Sequence, residues 1–187
     1  MQHKGTIVFE TARLLLRPFT LEDAQELFTN CFDSQKMRTF LPAIKPQDSA
    51  EDSRVMLESI VSGYVNPNYY YWAIVPKALG QVIGSLMLHL TPRDELHGRV
   101  EVGYYLGEPF WGQGYASEAL AAALDFCFDQ VGFTRVFAIY DVVNGASGRV
   151  LEKCGMKYEG RLRGAISNKD GTFADVYIYG IIAADRK

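Results

Sequence analysis

The sequence predicts an α+β fold, a mixed and mostly antiparallel sheet carrying helices, in one domain over residues 1–187. Three observations carry that reading. Segments of strand and helix character succeed one another as strand, two helices, three strands, helix, strand, helix and two strands. The three consecutive strands form a hairpin run ahead of a glycine-spaced loop, which excludes a doubly wound dinucleotide-binding sheet. With 187 residues, 48% of them hydrophobic and 22% charged, the chain has the material for one substantial core, and no internal repeat or low-complexity stretch divides it.

Each element has a local reason. Arg13 to Phe19 is a first strand closed by Pro18, and Thr20-Leu21-Glu22-Asp23 enters a helix with Thr20 as cap and acids in the first turn. Leu21, Ala24, Leu27, Phe28 and Phe32 keep the helical period. Pro42, Pro46 and their polar neighbours make a loop or broken helix of the stretch from Asp33 to Gln47, after which Asp48 or Ser49 caps a second helix running to about Tyr64. Tyr69 to Val75 is dense in aromatic and β-branched residues and reads as a strand. Pro76 to Gly80 turns the chain into a partner strand, Gln81 to Leu90, with Val82, Leu86, Leu88 and Leu90 on one face. Thr91 to Gly98 connects to the strand Arg99 to Leu106, whose alternation sets Val100, Val102, Tyr104 and Leu106 against Glu101, Gly103 and Tyr105. A long helix follows with Leu120, Ala123, Leu124, Cys127 and Val131 on one side. The remainder is a strand from Arg135 to Val142, a short helix after Asn144, and a closing pair, Tyr158 to Ser167 and Phe173 to Ile182, around Asn168-Lys169-Asp170-Gly171.

The stretch richest in chemistry is Pro109-Phe110-Trp111-Gly112-Gln113-Gly114-Tyr115-Ala116-Ser117-Glu118-Ala119. Gly112 and Gly114 clear side chains from a loop that opens directly into a helix N-terminus, so the main-chain N–H groups there suit an anion such as a phosphate. A P-loop requires a lysine after its glycines, and none occurs between Pro109 and Lys153. The dinucleotide fingerprint requires a third glycine where Ser117 stands.

Composition narrows the function classes. A formal net charge of −3 supplies no general attraction to nucleic acid. Residues 1–11 contain only Ile7, Val8 and Phe9 as an apolar run, so neither a signal peptide nor a membrane association is expected, and the cytoplasm is the expected location. Cys31, Cys127 and Cys154 have no metal-ligand spacing and read as reduced core thiols; none of the three histidines, His3, His89 and His97, has a partner at a recognisable spacing, and no metal is expected.

The loop, written Trp111-Gly112-Gln113-Gly114-Tyr115-Ala116, resembles the acyl-CoA signature of the GNAT superfamily of N-acetyltransferases, [Gln/Arg]-x-x-Gly-x-[Gly/Ala] after a central strand. Trp111 departs from the superfamily pattern and is similar to the branch that acetylates ribosomal-protein N-termini, the ribosomal-protein-alanine type. A second stretch, Asn144 to Met156, resembles the superfamily's Asn-x-x-[Ala/Ser] segment, and Thr11 to Arg17 with Tyr158-Glu159-Gly160 extends the likeness over nearly the whole chain. The resemblance implies a three-layer fold, a sheet of about seven strands with helices on both faces, and two central strands that splay apart. It implies acetyl-CoA as cosubstrate, with the diphosphate on Gly112, Gln113, Gly114, Tyr115, Ala116 and Ser117, the pantetheine amides on the main chain of Tyr104, Tyr105 and Leu106, and Asn144 as helix cap, cofactor ligand or both. The chain would then act as a monomer or homodimer, with one wall of the acceptor groove supplied by the first two helices.

Acetylation of an amine requires a neutral nucleophile and a proton for the leaving thiolate. Deprotonating a lysine at pH 7 costs about 4.6 kcal/mol against about 1 kcal/mol for an α-amino group, so a protein N-terminus makes the weaker demand on a base. Glu101 is the first candidate base, alongside the plainer reading of a salt-bridged strand carboxylate, and Asp141 is the second. Glu118 in a helix first turn reads as dipole stabilisation. Many superfamily members carry the thiolate acid as a tyrosine seven residues after the motif asparagine, where this chain has Leu151; in the ribosomal-protein branch the hydroxyl three residues after it takes that role, which maps onto Ser147, itself readable as a plain helix N-terminal hydroxyl. Direct transfer to a protein N-terminus is the leading expectation. A polyamine, amino acid or aminoglycoside acetylase and a non-catalytic CoA sensor stand beside it.

Overall fold

The eight strands found among the described residues pair into one sheet: β1 (Phe9–Glu10), β2 (Leu14–Pro18), β3 (Tyr70–Pro76), β4 (Gly84–His89), β5 (Arg99–Leu106), β6 (Arg135–Asp141), β7 (Lys157–Ser167) and β8 (Phe173–Ile182). Their order across the sheet is β1-β2-β3-β4-β5-β6-β8-β7. The computed structural model describes residues 1–34, 36, 37, 47–167 and 171–186. Most of the loop expected from Asp33 to Gln47, and the turn residues Asn168, Lys169 and Asp170, lie outside them. The strand beyond the expected seven is β1, which takes Phe9 from the end of the Ile7-Val8-Phe9 run together with Glu10 and pairs them with Leu16 and Leu15.

Every neighbouring pair is antiparallel except β5 and β6. That parallel ladder has three rungs, Arg99 to Arg135, Val100 to Val136 and Glu101 to Phe137, and then stops. Beyond it β5 stays paired with β4 as far as Leu106, and β6 with β8 as far as Asp141. The sheet therefore opens between its two central strands, which is the expected splay.

Alternation along the strands feeds two cores. On one face Leu14, Leu16, Trp72, Ile74, Leu86, Leu88, Val100 and Val102 pack against α4 (Tyr115–Asp125), its π-helical continuation (Phe126–Val131) and α5 (Gly145–Lys153) through Leu120, Ala123, Leu124, Cys127, Val131 and Leu151. On the other, Ala73, Val75 and Tyr105 pack against a helical run made of a 3-10 turn (Leu21–Asp23), α1 (Ala24–Leu27) and a π turn (Phe28–Phe32), and against α2 (Ala50–Gly63). Helices on both faces make three layers. The caps are local: Ser49 Oγ accepts from the Asp52 N–H at the start of α2, and Asp23 accepts from the Thr20 N–H.

Two readings change. The connection from Thr91 to Gly98 contains a short helix, α3 (Pro92–Leu96), because Thr91 caps it and Pro92 supplies a preset first turn. Val82 does not share a face with Leu86 and Leu88: the strand starts only at Gly84, Ile83 takes the place in the first core, and Val82 packs in the second. A period-two pattern extended past a strand's true start assigns the wrong face.

Trp72 anchors the first core. It is fully buried, its ring centre lies 5.4–5.8 Å from those of Phe9 and Phe126, set edge-on, and of Tyr70, stacked on it, and its indole N–H donates to the Ile7 carbonyl at 2.7 Å. Trp72→Ala is expected to lower stability by about 3–5 kcal/mol, read as a fall in the urea midpoint at unchanged slope.

Candidate active site

Where β5 and β6 part, the structure has a cleft of about 560 Å³. Its walls come from the end of β5 (Tyr104 to Leu106), the glycine loop and first turn of α4, and the first turns of α5. All of these follow from the ladder's early stop, since α4 leaves β5 and α5 leaves β6 on the same face of the sheet.

The glycine loop enters α4 in a conformation that leaves main-chain donors unspent. Gly114 has φ +82°, a left-handed conformation that favours glycine, and no side chain caps α4. The helix's own bonding starts with the Glu118 N–H donating to the Gly114 carbonyl at 3.1 Å. Among the described residues, the N–H groups of Gly112, Gln113, Gly114, Tyr115, Ala116 and Ser117 have no acceptor. Five of these six donors, at the positive end of a helix, belong to residues that line the cavity: Gly112, Gly114, Tyr115, Ala116 and Ser117. Gln113 is not part of the lining: its side chain donates back to the Pro109 carbonyl at 3.0 Å, and its own carbonyl accepts from Arg13 at 3.0 Å.

The β5 wall is divided differently from the expectation for Tyr104, Tyr105 and Leu106. Ladder bonds alternate, and the Gly107 N–H donating to the Ile83 carbonyl puts the odd-numbered residues of β5 on the β4 side. The Tyr105 carbonyl lies so close to Gly84 that a Cβ there would be 2.1 Å from it. The main-chain groups of Tyr105 are therefore spent on β4, and those of Tyr104 and Leu106 point into the opening. The Leu106 carbonyl already accepts from the Trp111 indole at 2.6 Å. Trp111, the residue that departs from the superfamily pattern, thus closes the loop back onto the strand it leaves.

Asn144 caps α5, its Oδ1 accepting from the Ser147 N–H at 3.4 Å, and it lines the cleft. Ser147 lines it too, beside the phenol of Tyr104, which donates to the Ser147 carbonyl at 3.2 Å. Burial pushes the Tyr104 hydroxyl well above its ordinary pKa, against a smaller lowering by the Ser147 side chain, so the phenol stays protonated at neutral pH. Leu151, at the position of the missing tyrosine, is core.

Glu101 and Ser147 are not brought together. Glu101 sits at the last rung of the β5–β6 ladder, opposite Phe137 on one side and His89 on the other, on the sheet face away from α4 and α5. Burial raises its pKa above the carboxylate norm, with His89 lowering it and Asp94 raising it as smaller effects. Among the described residues it makes no salt bridge: Arg99 pairs with Asp94 and Arg135 with Glu159. Asp141 is absorbed by a turn, accepting from the Val143 N–H at 3.0 Å. Cys154 donates its thiol to the Ser117 carbonyl at 3.3 Å, and burial raises its pKa to about 11, which keeps it a thiol. Among the described residues no group of three or more His, Cys, Asp or Glu side chains is arranged to hold a metal, and no helix is long and apolar enough to cross a membrane.

Sequence reasoning missed the cations of the cleft, Lys36, Arg149 and Lys153. Arg149 and Lys153 stand four apart on α5, a spacing that puts both on one helix face and was there to be read. Lys36 comes from a segment without periodicity and lies 4.9 Å over the Trp111 ring while pairing with Glu108 at 3.0 Å. Arg13 was missed as well.

Comparison with known proteins agrees with this geometry. The sequence profile of the family described as Acetyltransferase (GNAT) domain matches residues 13–157. The uncharacterized N-acetyltransferase p20 of Bacillus licheniformis is 30% identical over 172 residues, covering 92% of this chain and 94% of that protein. Among solved structures, the ribosomal-protein-S5-alanine acetyltransferase of Vibrio fischeri superposes with a TM-score of 0.75 at 23% identity, over 97% of this chain and 99% of that one. The microcin C7 self-immunity acetyltransferase MccE, solved with acetyl-CoA and AMP, superposes at 0.79 and 21% identity, over 92% and 93%. At these identities the two structures speak for the fold, while the profile spans well over half of the chain. A sheet parted between its central strands, a glycine loop opening a helix at the gap, and a family profile over the same residues lead to one conclusion: the protein is an N-acetyltransferase of the GNAT family.

Proposed function

We propose that this chain transfers the acetyl group of acetyl-CoA directly to a primary amine, most suitably a protein N-terminal α-amine. The observation that carries the reading is the row of six unpaired main-chain N–H groups, Gly112 to Ser117, at the mouth of the cleft. These amides hold the diphosphate, and Arg149 and Lys153 add charge without any help from a chain whose net charge is −3. The outward main chain of Tyr104, together with the Leu106 N–H, pairs with the pantetheine arm as a short added strand, which directs the thioester toward the closed end of the opening.

There the two faces of the sheet divide the work. From the second face Glu101, alone or through one water, removes a proton from the attacking amine, which bonds to the acetyl carbon. The carbon–sulfur bond breaks, and the sulfur leaves as thiolate toward the first face. Ser147 stands on that side as a donor to it, and the neutral phenol of Tyr104 reaches it by turning from the Ser147 carbonyl that now accepts its proton. An α-amine, about a unit above neutrality in pKa, asks little of a buried carboxylate, and a relative described as a putative ribosomal N-acetyltransferase of Bacillus subtilis, 26% identical over 103 residues, is in keeping with a protein acceptor.

Thiol release from acetyl-CoA, measured against a peptide with a free N-terminus, the same peptide N-blocked with an internal lysine, and spermidine, tests the acceptor. Turnover is expected with the first; turnover with spermidine alone, or tight CoA binding with no turnover, overturns the proposal. Gly114→Val forces a β-branched residue into a left-handed conformation, and calorimetry should read a loss of CoA affinity of about tenfold or more. Unchanged affinity would mean that the diphosphate rests elsewhere.

Glu101→Gln should lower kcat/KM by roughly 10²-fold, the lower end for a general base. The pH profile supplies the sign. Both amine and carboxylate must be deprotonated, so the acid limb of the parent enzyme steepens from first to second order below the raised pKa of Glu101, whereas the variant stays first order. A raised carboxyl pKa also means that the fold holds the proton more tightly than the unfolded chain, so this group's stabilisation is lost as pH rises through the folded value. The glutamine variant should accordingly be at least as stable as the parent at pH 7 in urea unfolding.

A further inference from the structure

The segment joining β1 to β2 reaches the glycine loop from behind, and the contact is made by a residue that does not line the cleft. Arg13 donates through Nη1 to the Gln113 carbonyl at 3.0 Å and through Nε to Glu118 Oε2 at 2.6 Å. Its guanidinium lies 4.8 Å over the Tyr115 ring, and the position of a Cβ on Gly114 would be 3.3 Å from Nη2. Glu118 Oε1 accepts further from the Arg13 N–H at 2.8 Å and from the Thr11 hydroxyl. We propose that Arg13 is a positioning residue for the diphosphate cradle, aiming its amides and cancelling the Glu118 carboxylate set beside it; this rests on the reading of the loop given under Proposed function.

The argument has two independent parts. In a trans peptide the C=O of one residue and the N–H of the next point in opposite directions. Holding the Gln113 carbonyl on the outer side of the loop therefore turns the Gly114 N–H toward the cleft. Gly112 and Gly114 on either side of Gln113 have no side chains to fix that peptide, and beyond the bond of the Gln113 side chain to the Pro109 carbonyl it is the guanidinium that holds the carbonyl outward. The second part is electrostatic. Glu118 in the first turn of α4 favours the helix itself but repels an anion bound at the same end. Burial pushes its carboxyl pKa up, while Thr11 and Arg13 together more than offset this and keep it ionised. Its charge is thus present, and the adjacent guanidinium cancels it at close range. A lysine carries the charge but not the fork that reaches Gln113 and Glu118 at once.

The two donors acetyl-CoA and S-acetylpantetheine share the reacting thioester and differ in the diphosphate and nucleotide. Steady-state constants for both are to be measured in the parent enzyme, Arg13→Ala and Arg13→Lys, alongside the melting temperature of each. For Arg13→Ala, KM for acetyl-CoA is expected to rise about tenfold or more, the loss of one charge-assisted contact, while kcat moves little and KM for S-acetylpantetheine stays within about twofold. Arg13→Lys should fall between the parent and Arg13→Ala with acetyl-CoA only. An equal rise for both donors, or no rise for either, overturns the role assigned to Arg13, and if Arg13→Ala does not fold the lysine variant carries the same comparison. A parent enzyme that uses both donors equally well would instead overturn the cradle itself, so the two failures are distinct.

Discussion

The structure depends on one interruption, the parallel ladder between β5 and β6 that ends at Glu101 and Phe137. Each strand has its other edge satisfied well beyond that point, by β4 to Leu106 and by β8 to Asp141, so neither is pulled back toward the other. Main-chain groups that a sheet normally spends on itself are left facing a cavity, and leaving them there is tolerable only because the cavity is open to solvent or a ligand. The Tyr104 phenol spans part of the opening to the Ser147 carbonyl and ties α5 to β5 without closing it.

Two helices then acquire chemistry from where they begin. α4 starts at the rim of the opening with no capping side chain, so its orphan amides remain available, while α5 starts across from it with Asn144 as its own cap. The contrast is physical: a helix that caps itself has spent the donors that an anion would use. Charges around the rim follow the same division. Lys36, Arg149 and Lys153 face the cleft, whereas the nearby carboxylates Glu118 and Glu108 are paired, with Arg13 and with Lys36. A chain that is acidic overall thereby keeps cations at the rim of the cleft, and Glu101 and Tyr104 stand on opposite faces of one strand. Glu101 looks away from the donor side, with Tyr104 three residues on looking toward it.

Much of this was legible in one dimension because it is local. The alternation of Val100, Val102, Tyr104 and Leu106, the period of Leu120, Ala123, Leu124 and Cys127, and the caps Ser49 and Asn144 are all decided within a few residues by steric and hydrogen-bonding preferences that act at short range. The glycine spacing at 112 and 114 belongs to the same class, since the need for a left-handed residue at the helix start is a property of the loop itself. Membership of the GNAT family was legible for that reason: its signature is one loop and one helix start.

What tertiary structure alone decided is everything that depends on which distant segments meet. No local preference states that the β5–β6 ladder stops after three rungs, that β4 claims the main chain of Tyr105, or that Val82 turns to the second core while Ile83 takes its place in the first. Arg13, a hundred residues from Gln113, reaches the glycine loop only because β2 packs against α4. Local sequence determined which groups are able to bind and react; long-range pairing, set by burial of two cores on one sheet, determined which of them share a cleft and which are already spent on a neighbour.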